Sequence, residues 1–218
     1  MRKPFDLKAD YQPDAFSFSD DKQVAEILSR YPSNQKKSAI MPLLDLAQRE
    51  MAKLGEKAEP VFGGWIPRAA MDEIANIVGE PPIRVYEVAT FYSMYNMAPV
   101  GKYLVQLCTT TPCWLCGSAD VVEACEKHLK IKMGETTKDG MFTLMDVECL
   151  GACVNAPMVQ INDDYYEDLN PERVVSILKA LAEGKPVDVG SQTGRKGSMA
   201  IDGPTTLNER AKKAGVGK

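Results

Sequence analysis

The sequence has a single histidine, His128, among its 218 residues. Centres that need two histidine ligands, such as a Rieske-type iron–sulfur centre, are therefore excluded. Six cysteines are present. Any iron–sulfur centre in this chain must therefore be held by thiolates alone.

The sequence also lacks long hydrophobic runs and an excess of positive charge. No apolar run approaches the roughly 18 to 20 residues that span a bilayer, so we expect no direct membrane insertion. The formal net charge of -4 gives no electrostatic basis for binding nucleic acid or an anionic membrane surface. The first residues, MRKPFD, resemble neither a secretory signal nor a mitochondrial transit peptide. We therefore expect a bacterial cytoplasmic chain or an already processed one.

Apolar residues at helical spacing predict four short helices in the first half of the chain. They begin near Ser19, Ser38, Pro67 and Pro81. The second helix has the longest apolar stripe, formed by Ile40, Leu43, Leu44, Ala47, Met51 and Leu54. Four such helices with short connections predict a helical bundle over residues 19–98, after an extended arm at 1–18. The bundle has no polar constellation, which favours a docking role.

Short alternating or apolar runs predict strands in the second half. The predicted order is strand, helix, three strands and helix, with strands at 103–107, 142–148, 158–161 and 165–167 and helices at 113–129 and 171–183. This order predicts a small mixed sheet in a domain at 99–184, and an α+β fold class for the whole chain. Residues 185–218, rich in Gly, Lys, Ser and Thr, predict an extended tail that is solvated or wraps a partner.

Two close cysteine pairs follow predicted strands. Cys108 and Cys113 have C-x4-C spacing, and Cys149 and Cys153 have C-x3-C spacing. The chain is long, its cysteine density is low and no export signal is evident, so thiols that bind metal or do redox work are expected rather than disulfides. If the two strands are parallel, both loops lie at one end of the sheet, and each pair can hold one iron of a two-iron cluster.

Two other hypotheses stay open at this point. Cys113 and Cys116 form a C-x-x-C after a strand and at a predicted helix N-terminus, which is the context of dithiol–disulfide exchange. That hypothesis leaves three other thiols unexplained. Structural zinc on four thiolates is the third hypothesis, although zinc sites more often use C-x2-C spacing. In the cluster hypothesis Cys116 and Cys125 are not ligands, and Cys125 lies on the apolar face of a helix.

The cysteine segments CTTTPC (108–113) and ECLGACVNAP (148–157) resemble those of a known family. The chain is similar to the 24 kDa subunits of respiratory complex I, the NADH:quinone oxidoreductase. The resemblance covers roughly residues 15–190 and extends to further segments: GWIP (64–67), RVYEVATFY (84–92), GETT (134–137), MVQIN (158–162) and YYEDL (165–169). A weaker similarity, GPTTL, lies at 203–207.

The resemblance implies a helical N-terminal bundle, a thioredoxin-like [2Fe–2S] ferredoxin domain, and one [2Fe–2S] cluster on Cys108, Cys113, Cys149 and Cys153. It implies an electron-transfer subunit of an oxidoreductase, with no complete active site in this chain alone. The cluster would exchange single electrons with the FMN of a partner.

The implied partners are the flavoprotein subunit, which binds NADH and FMN, and the Fe–S-rich subunit of the peripheral arm. The implied place is the matrix side of the mitochondrial inner membrane or the cytoplasmic side of the bacterial one. Diaphorase subunits of NAD-reducing hydrogenases and NAD-dependent formate dehydrogenases share these motifs and stay as alternatives.

Overall fold

The computed structural model describes residues 11–203 and 206–215. Residues 1–10 of the predicted arm, and 204–205 and 216–218 of the predicted tail, lie outside the described residues. Residues 11–18 form neither helix nor strand. The described residues form two compact units. One contains the residues up to Leu104 together with Met133–Thr143, and the other contains Val105–Lys132 and the residues from Leu144 onward.

Four α-helices form the first unit, as the sequence predicts, and they lie at Asp21–Ser29 (α1), Ile40–Gly55 (α2), Arg68–Val78 (α3) and Pro82–Phe91 (α4). A short 3₁₀ helix, Ser33–Ala39, precedes α2. Asp20 rather than Ser19 caps α1, because its side chain accepts a hydrogen bond from the Lys22 N–H. Helix α3 ends at Gly79, which has a φ of +73°.

The core of the first unit is built from the apolar stripes of these helices. Leu43 and Leu44 of α2 are fully buried, and burying a leucine side chain contributes roughly 1.5–3 kcal/mol. The predicted stripe of α2 is confirmed except at its end, where Leu54 is 60% exposed. Gly55, next to it, packs against Phe62 so closely that a Cβ atom would lie 2.1 Å from the Phe62 carbonyl oxygen.

Five strands form one mixed sheet in the order β2-β1-β3-β4-β5. The strands are Tyr103–Cys108 (β1), Phe142–Val147 (β2), Val159–Ile161 (β3), Asp164–Glu167 (β4) and Gly190–Ser191 (β5). β1 and β3 are antiparallel, as are β3 and β4, whereas β4 and β5 are parallel. The first four strands were predicted within two residues at each end, and β5 was not predicted.

The helices of the second unit are Thr111–Leu115 (α5), Ser118–Leu129 (α6), Pro171–Ala182 (α7) and Asn208–Lys213 (α8). The prediction of one helix over 113–129 is wrong, because Gly117 interrupts it with a φ of +93°. This left-handed conformation does not continue an α-helix. Together with the N-terminal helices, the sheet gives the predicted α+β fold.

Candidate metal centre

The first cysteine pair lies where β1 gives way to α5. Cys108 is the last residue of β1, and Cys113 lies within the five-residue helix α5. Pro112 suits the first turn of α5, because backbone N–H groups there have no partner within the helix and proline has no N–H group. Cys108 and Cys113 are 2% and 1% exposed. This pair is therefore shielded from solvent.

The second cysteine pair lies in the loop after β2. Cys149 comes two residues after the end of β2, and Cys153 begins a short 3₁₀ helix, Cys153–Asn155. Their Sγ atoms are 3.6 Å apart, and both residues are exposed. Gly151 has a φ of +83°, a conformation that residues with a Cβ atom rarely adopt, and it turns the chain between the two thiols.

The second cysteine loop packs against the first pair. Leu150 and Ala152 of that loop contact the buried cluster of Cys108, Cys113 and Met158, and hydrogen bonding from the Leu150 backbone lowers the pKa of Cys108. The backbone N–H of Met158 donates to Cys113, and the Cys153 thiol interacts electrostatically with Cys108 and Cys113. The fold thus brings the loops of both predicted pairs to one place.

Apolar side chains surround the buried pair. Met158 is buried against Cys108 and Cys113, and partly buried residues pack around them: Leu150, Ala152, Ala156 and Tyr165. The Tyr165 hydroxyl donates a 2.8 Å hydrogen bond to the Leu150 carbonyl oxygen, which holds the second loop against β4. Sequence reasoning did not select Leu150, Met158 or Tyr165 as site residues. The only sequence feature that could have indicated these three residues is their position in or beside the segments that carry the cysteines.

The two buried thiols have opposite pKa shifts. Burial alone would raise the pKa of Cys108, but hydrogen bonds from the Thr110 hydroxyl and from the backbone of Leu150 outweigh it, so its pKa is lowered. Burial raises the pKa of Cys113 to about 12, and its hydrogen bond to Cys108 adds to the rise. The pKa of Cys153 is raised, chiefly by its hydrogen bond to Cys149.

The donor set consists of thiols in two close pairs. Among residues 11–203 and 206–215, no group of three or more His, Cys, Asp or Glu side chains is placed to hold one metal ion. A [2Fe–2S] cluster needs two thiolates at each of two irons, which is the number that two close pairs offer. Structural zinc more often uses C-x2-C spacing than the C-x4-C and C-x3-C spacing found here.

The alternative thiol pair does not have the arrangement that dithiol exchange requires. Cys113 lies in the first turn of the five-residue helix α5 and Cys116 is the C-cap of that helix, so the C-x-x-C does not open the long helix predicted over 113–129. The raised pKa of Cys113 is also opposite to that of an activated nucleophile. Cys125 is fully buried on α6, and burial raises its pKa to about 12, as expected for a cysteine that acts as a small apolar side chain.

Comparison with known proteins gives one family match. The model of the family described as thioredoxin-like [2Fe–2S] ferredoxin matches residues 24–182. That range includes all four cysteines of the two pairs.

Two relatives illustrate the similarity. The chain is 49% identical over 187 residues to NADH dehydrogenase [ubiquinone] flavoprotein 2, mitochondrial, of Dictyostelium discoideum, covering 86% of this chain and 71% of that protein. It is 55% identical over 168 residues to an NADH-quinone oxidoreductase subunit of Rickettsia typhi, covering 75% of this chain and 92% of that protein. Both agree with the resemblance found in the sequence.

One solved structure has a similar fold. The NAD+-reducing [NiFe]-hydrogenase in the H2-reduced state matches with a TM-score of 0.51 at 20% identity. The match covers 64% of this chain and 24% of the hydrogenase chain. At this identity the likeness concerns the fold alone.

Proposed function

This chain belongs to the thioredoxin-like [2Fe–2S] ferredoxin family and, within it, to the subunits of NADH-quinone oxidoreductase, and from that membership we propose how it works. It is an electron-transfer subunit of the NADH dehydrogenase module of respiratory complex I. It carries one [2Fe–2S] cluster, on Cys108, Cys113, Cys149 and Cys153. The single observation that carries this assignment is the packing of Leu150 and Ala152, from the second cysteine loop, against the buried thiols Cys108 and Cys113 of the first pair.

A bound [2Fe–2S] cluster supplies one-electron transfer, and the protein supplies its ligands, position and surroundings. Hydrogen bonding from the backbones of Leu150 and Met158 lowers the pKa of Cys108 and opposes the rise in the pKa of Cys113. Such hydrogen bonds to thiolate sulfur stabilise negative charge and so favour the reduced state. Met158 and its apolar neighbours exclude water from the buried pair.

The exposed side of the site is the side on which we place the partner. Cys149 and Cys153 are exposed. Three large apolar side chains next to site cysteines in the chain are exposed as well: Trp114 by 63%, Leu115 by 71% and Val154 by 60%. Depletion of charge and enrichment in aromatic residues are features of interface cores. We assign this surface to the flavoprotein subunit that binds NADH and FMN.

NADH and FMN belong on that partner, because this chain has no glycine-rich nucleotide loop. A second partner is the Fe–S-rich subunit of the peripheral arm. No described helix is long and apolar enough to cross a bilayer. We therefore propose attachment through these partners, on the matrix side of the mitochondrial inner membrane or the cytoplasmic side of the bacterial one.

The test is reduction by NADH with and without the flavoprotein subunit. We expect NADH to produce the electron paramagnetic resonance (EPR) signal of a reduced [2Fe–2S] cluster only in the complex of the two subunits. A signal in the isolated chain would contradict the placement of NADH and FMN. Absence of a signal in the complex would contradict the electron-transfer role. Purification of the native chain with hydrogenase subunits, rather than quinone reductase subunits, would favour the diaphorase alternative.

A further inference from the structure

A segment of the predicted tail folds back onto the second unit. We call residues 190–199 the strap. It begins with β5, which pairs in parallel with β4 so that Ser191 lies opposite Glu167. The next residue continues the contact, because the Gln192 N–H donates a 3.0 Å hydrogen bond to the Glu167 carbonyl oxygen. The strap is therefore attached to the sheet at its start.

A buried carboxylate holds the middle of the strap. Asp168 accepts hydrogen bonds from Ser191 Oγ at 2.6 Å and from Thr193 Oγ1 at 3.2 Å, both on Oδ2. Its Oδ1 accepts a 2.6 Å hydrogen bond from Arg195 Nη2. The side chains of Arg195 and Asp168 are only 8% and 4% exposed. Charged hydrogen bonds in such a buried place are stronger than neutral ones and depend strictly on geometry.

The same arginine reaches the turn that carries Cys153. Arg195 Nη1 donates to the Val154 carbonyl oxygen at 3.1 Å and to the Met199 carbonyl oxygen at 3.2 Å. The guanidinium thus bridges Asp168 and the residue that directly follows Cys153. A planar guanidinium with donors on two nitrogens can do this, whereas a lysine ammonium is a single point donor.

A second side chain ties the same turn to the strap from the other direction. Asn155, the last residue of the Cys153–Asn155 helix, is 4% exposed. Its Nδ2 donates to the Gly197 carbonyl oxygen at 2.9 Å and to Glu167 Oε2 at 2.5 Å. The Asn155 carbonyl oxygen accepts from the Asp168 N–H at 2.8 Å. Both residues after Cys153 are therefore held by the strap or by the residues that anchor it.

We propose that Arg195 is a positioning residue for the metal centre: the strap fixes the turn after Cys153 and so sets how this exposed thiol is presented to the cluster. The inference rests on the proposed function, because it takes Cys153 as a cluster ligand. Cys149 and Cys153 lie at the surface, where less packing restrains them than restrains Cys108 and Cys113. For Cys153, the strap supplies a restraint that burial supplies to the other pair.

The test compares Arg195→Lys with Arg210→Lys in the full chain. Lysine at 195 keeps a positive charge for Asp168 but cannot bridge Asp168 and the Val154 carbonyl as the guanidinium does. Arg210 is an exposed arginine of α8, so the same change there is the matched control. Three properties are measured: the rate of cluster loss to excess chelator, the EPR g-values after reduction by dithionite, and amide hydrogen exchange at 153–155 in the cluster-free chain.

We expect Arg195→Lys to lose its cluster about tenfold faster, since groups that hold a metal ligand in place typically change metal affinity by 10–100-fold. We also expect shifted g-values and faster exchange at 153–155, with Arg210→Lys like the wild type. Wild-type g-values and a wild-type rate of cluster loss in Arg195→Lys overturn the proposal, even if its melting temperature falls. If the wild-type chain holds no cluster, the proposed function fails instead, and the amide exchange alone decides whether the strap holds the turn.

Discussion

The thiols of this chain differ in burial and in hydrogen bonding, and these differences separate their roles. Cys108 and Cys113 are buried beside backbone N–H donors from Leu150 and Met158. Cys116 is exposed at the end of α5. Cys149 and Cys153 are exposed as well, but their Sγ atoms lie 3.6 Å apart. Burial of one pair and proximity in the other therefore distinguish the four proposed ligands from Cys116.

Serine substitution tests this separation one residue at a time. The cluster should be lost or altered when serine replaces any one of the four proposed ligands, Cys108, Cys113, Cys149 and Cys153, because a hydroxyl oxygen is a harder ligand than a thiolate sulfur. Cys116→Ser is the matched control and should keep the wild-type visible spectrum and iron content. Iron analysis and EPR on the five purified variants check the prediction. Loss at Cys116 with retention at Cys108 would restore the dithiol interpretation.

Local sequence could predict the two cysteine pairs and the strands that precede them, but not the surroundings of the thiols. A short apolar run placed Cys108 after one strand, and a period-2 alternation placed Cys149 after another. The bonds from Leu150 and Met158 to the thiols join residues distant along the chain. Arg195 lies in a polar tail whose composition resembles that of a solvated extension, so its buried bond to Asp168 had no local signal.

At the scale of elements, α5 and α6 show how one residue divides a helical pattern. The apolar periodicity of 113–129 is continuous in sequence, and a glycine inside such a pattern carries only a weak propensity penalty. The structure places Gly117 at a φ of +93° as the N-terminal boundary of α6. Because of this break, Cys113 lies in the five-residue helix α5. Its side chain packs in one buried cluster with Cys108.

Gly117→Ala should therefore destabilise the chain without removing a ligand. A left-handed backbone costs an L-residue roughly 1–2 kcal/mol, so we expect the free energy of unfolding to fall by about that amount. Gly117→Asn is the control, since asparagine tolerates positive φ better than alanine. Urea unfolding under anaerobic conditions, monitored by circular dichroism, measures the free energy of unfolding. We expect it to be highest for the wild type, lower for Gly117→Asn and lowest for Gly117→Ala. An alanine variant as stable as the wild type would show that the turn adopts another conformation.

At the scale of the whole molecule, the chain requires a partner, because it is one component of an electron path. Burial of Cys108 and Cys113 protects one side of the site, and exposure of Cys149 and Cys153 leaves the other side open. The predicted docking role of the helical bundle stays a prediction. The exposed apolar residues beside the cysteines give a second surface on which association can be tested.

Trp114→Glu tests that surface. Trp114 is 63% exposed, so its replacement should change stability by less than about 0.5 kcal/mol and leave the cluster spectrum unchanged. If Trp114 is buried by the flavoprotein subunit, losing it should weaken that complex at least tenfold, as expected for an interface tryptophan worth about 2 kcal/mol or more. Leu54→Glu, at a site 60% exposed in the helical bundle, tests the predicted docking role of that bundle in the same assay. A wild-type affinity of Trp114→Glu would place the partner elsewhere on the chain.

The central claim is that four thiolates in two pairs hold one [2Fe–2S] cluster. It is tested most directly by iron and sulfide analysis of the purified chain, with visible absorption and low-temperature EPR after dithionite reduction. We expect two irons and two sulfides per chain, a thiolate-to-iron charge-transfer band, and one S = 1/2 signal. A colourless protein that binds stoichiometric zinc at the same cysteines would contradict it.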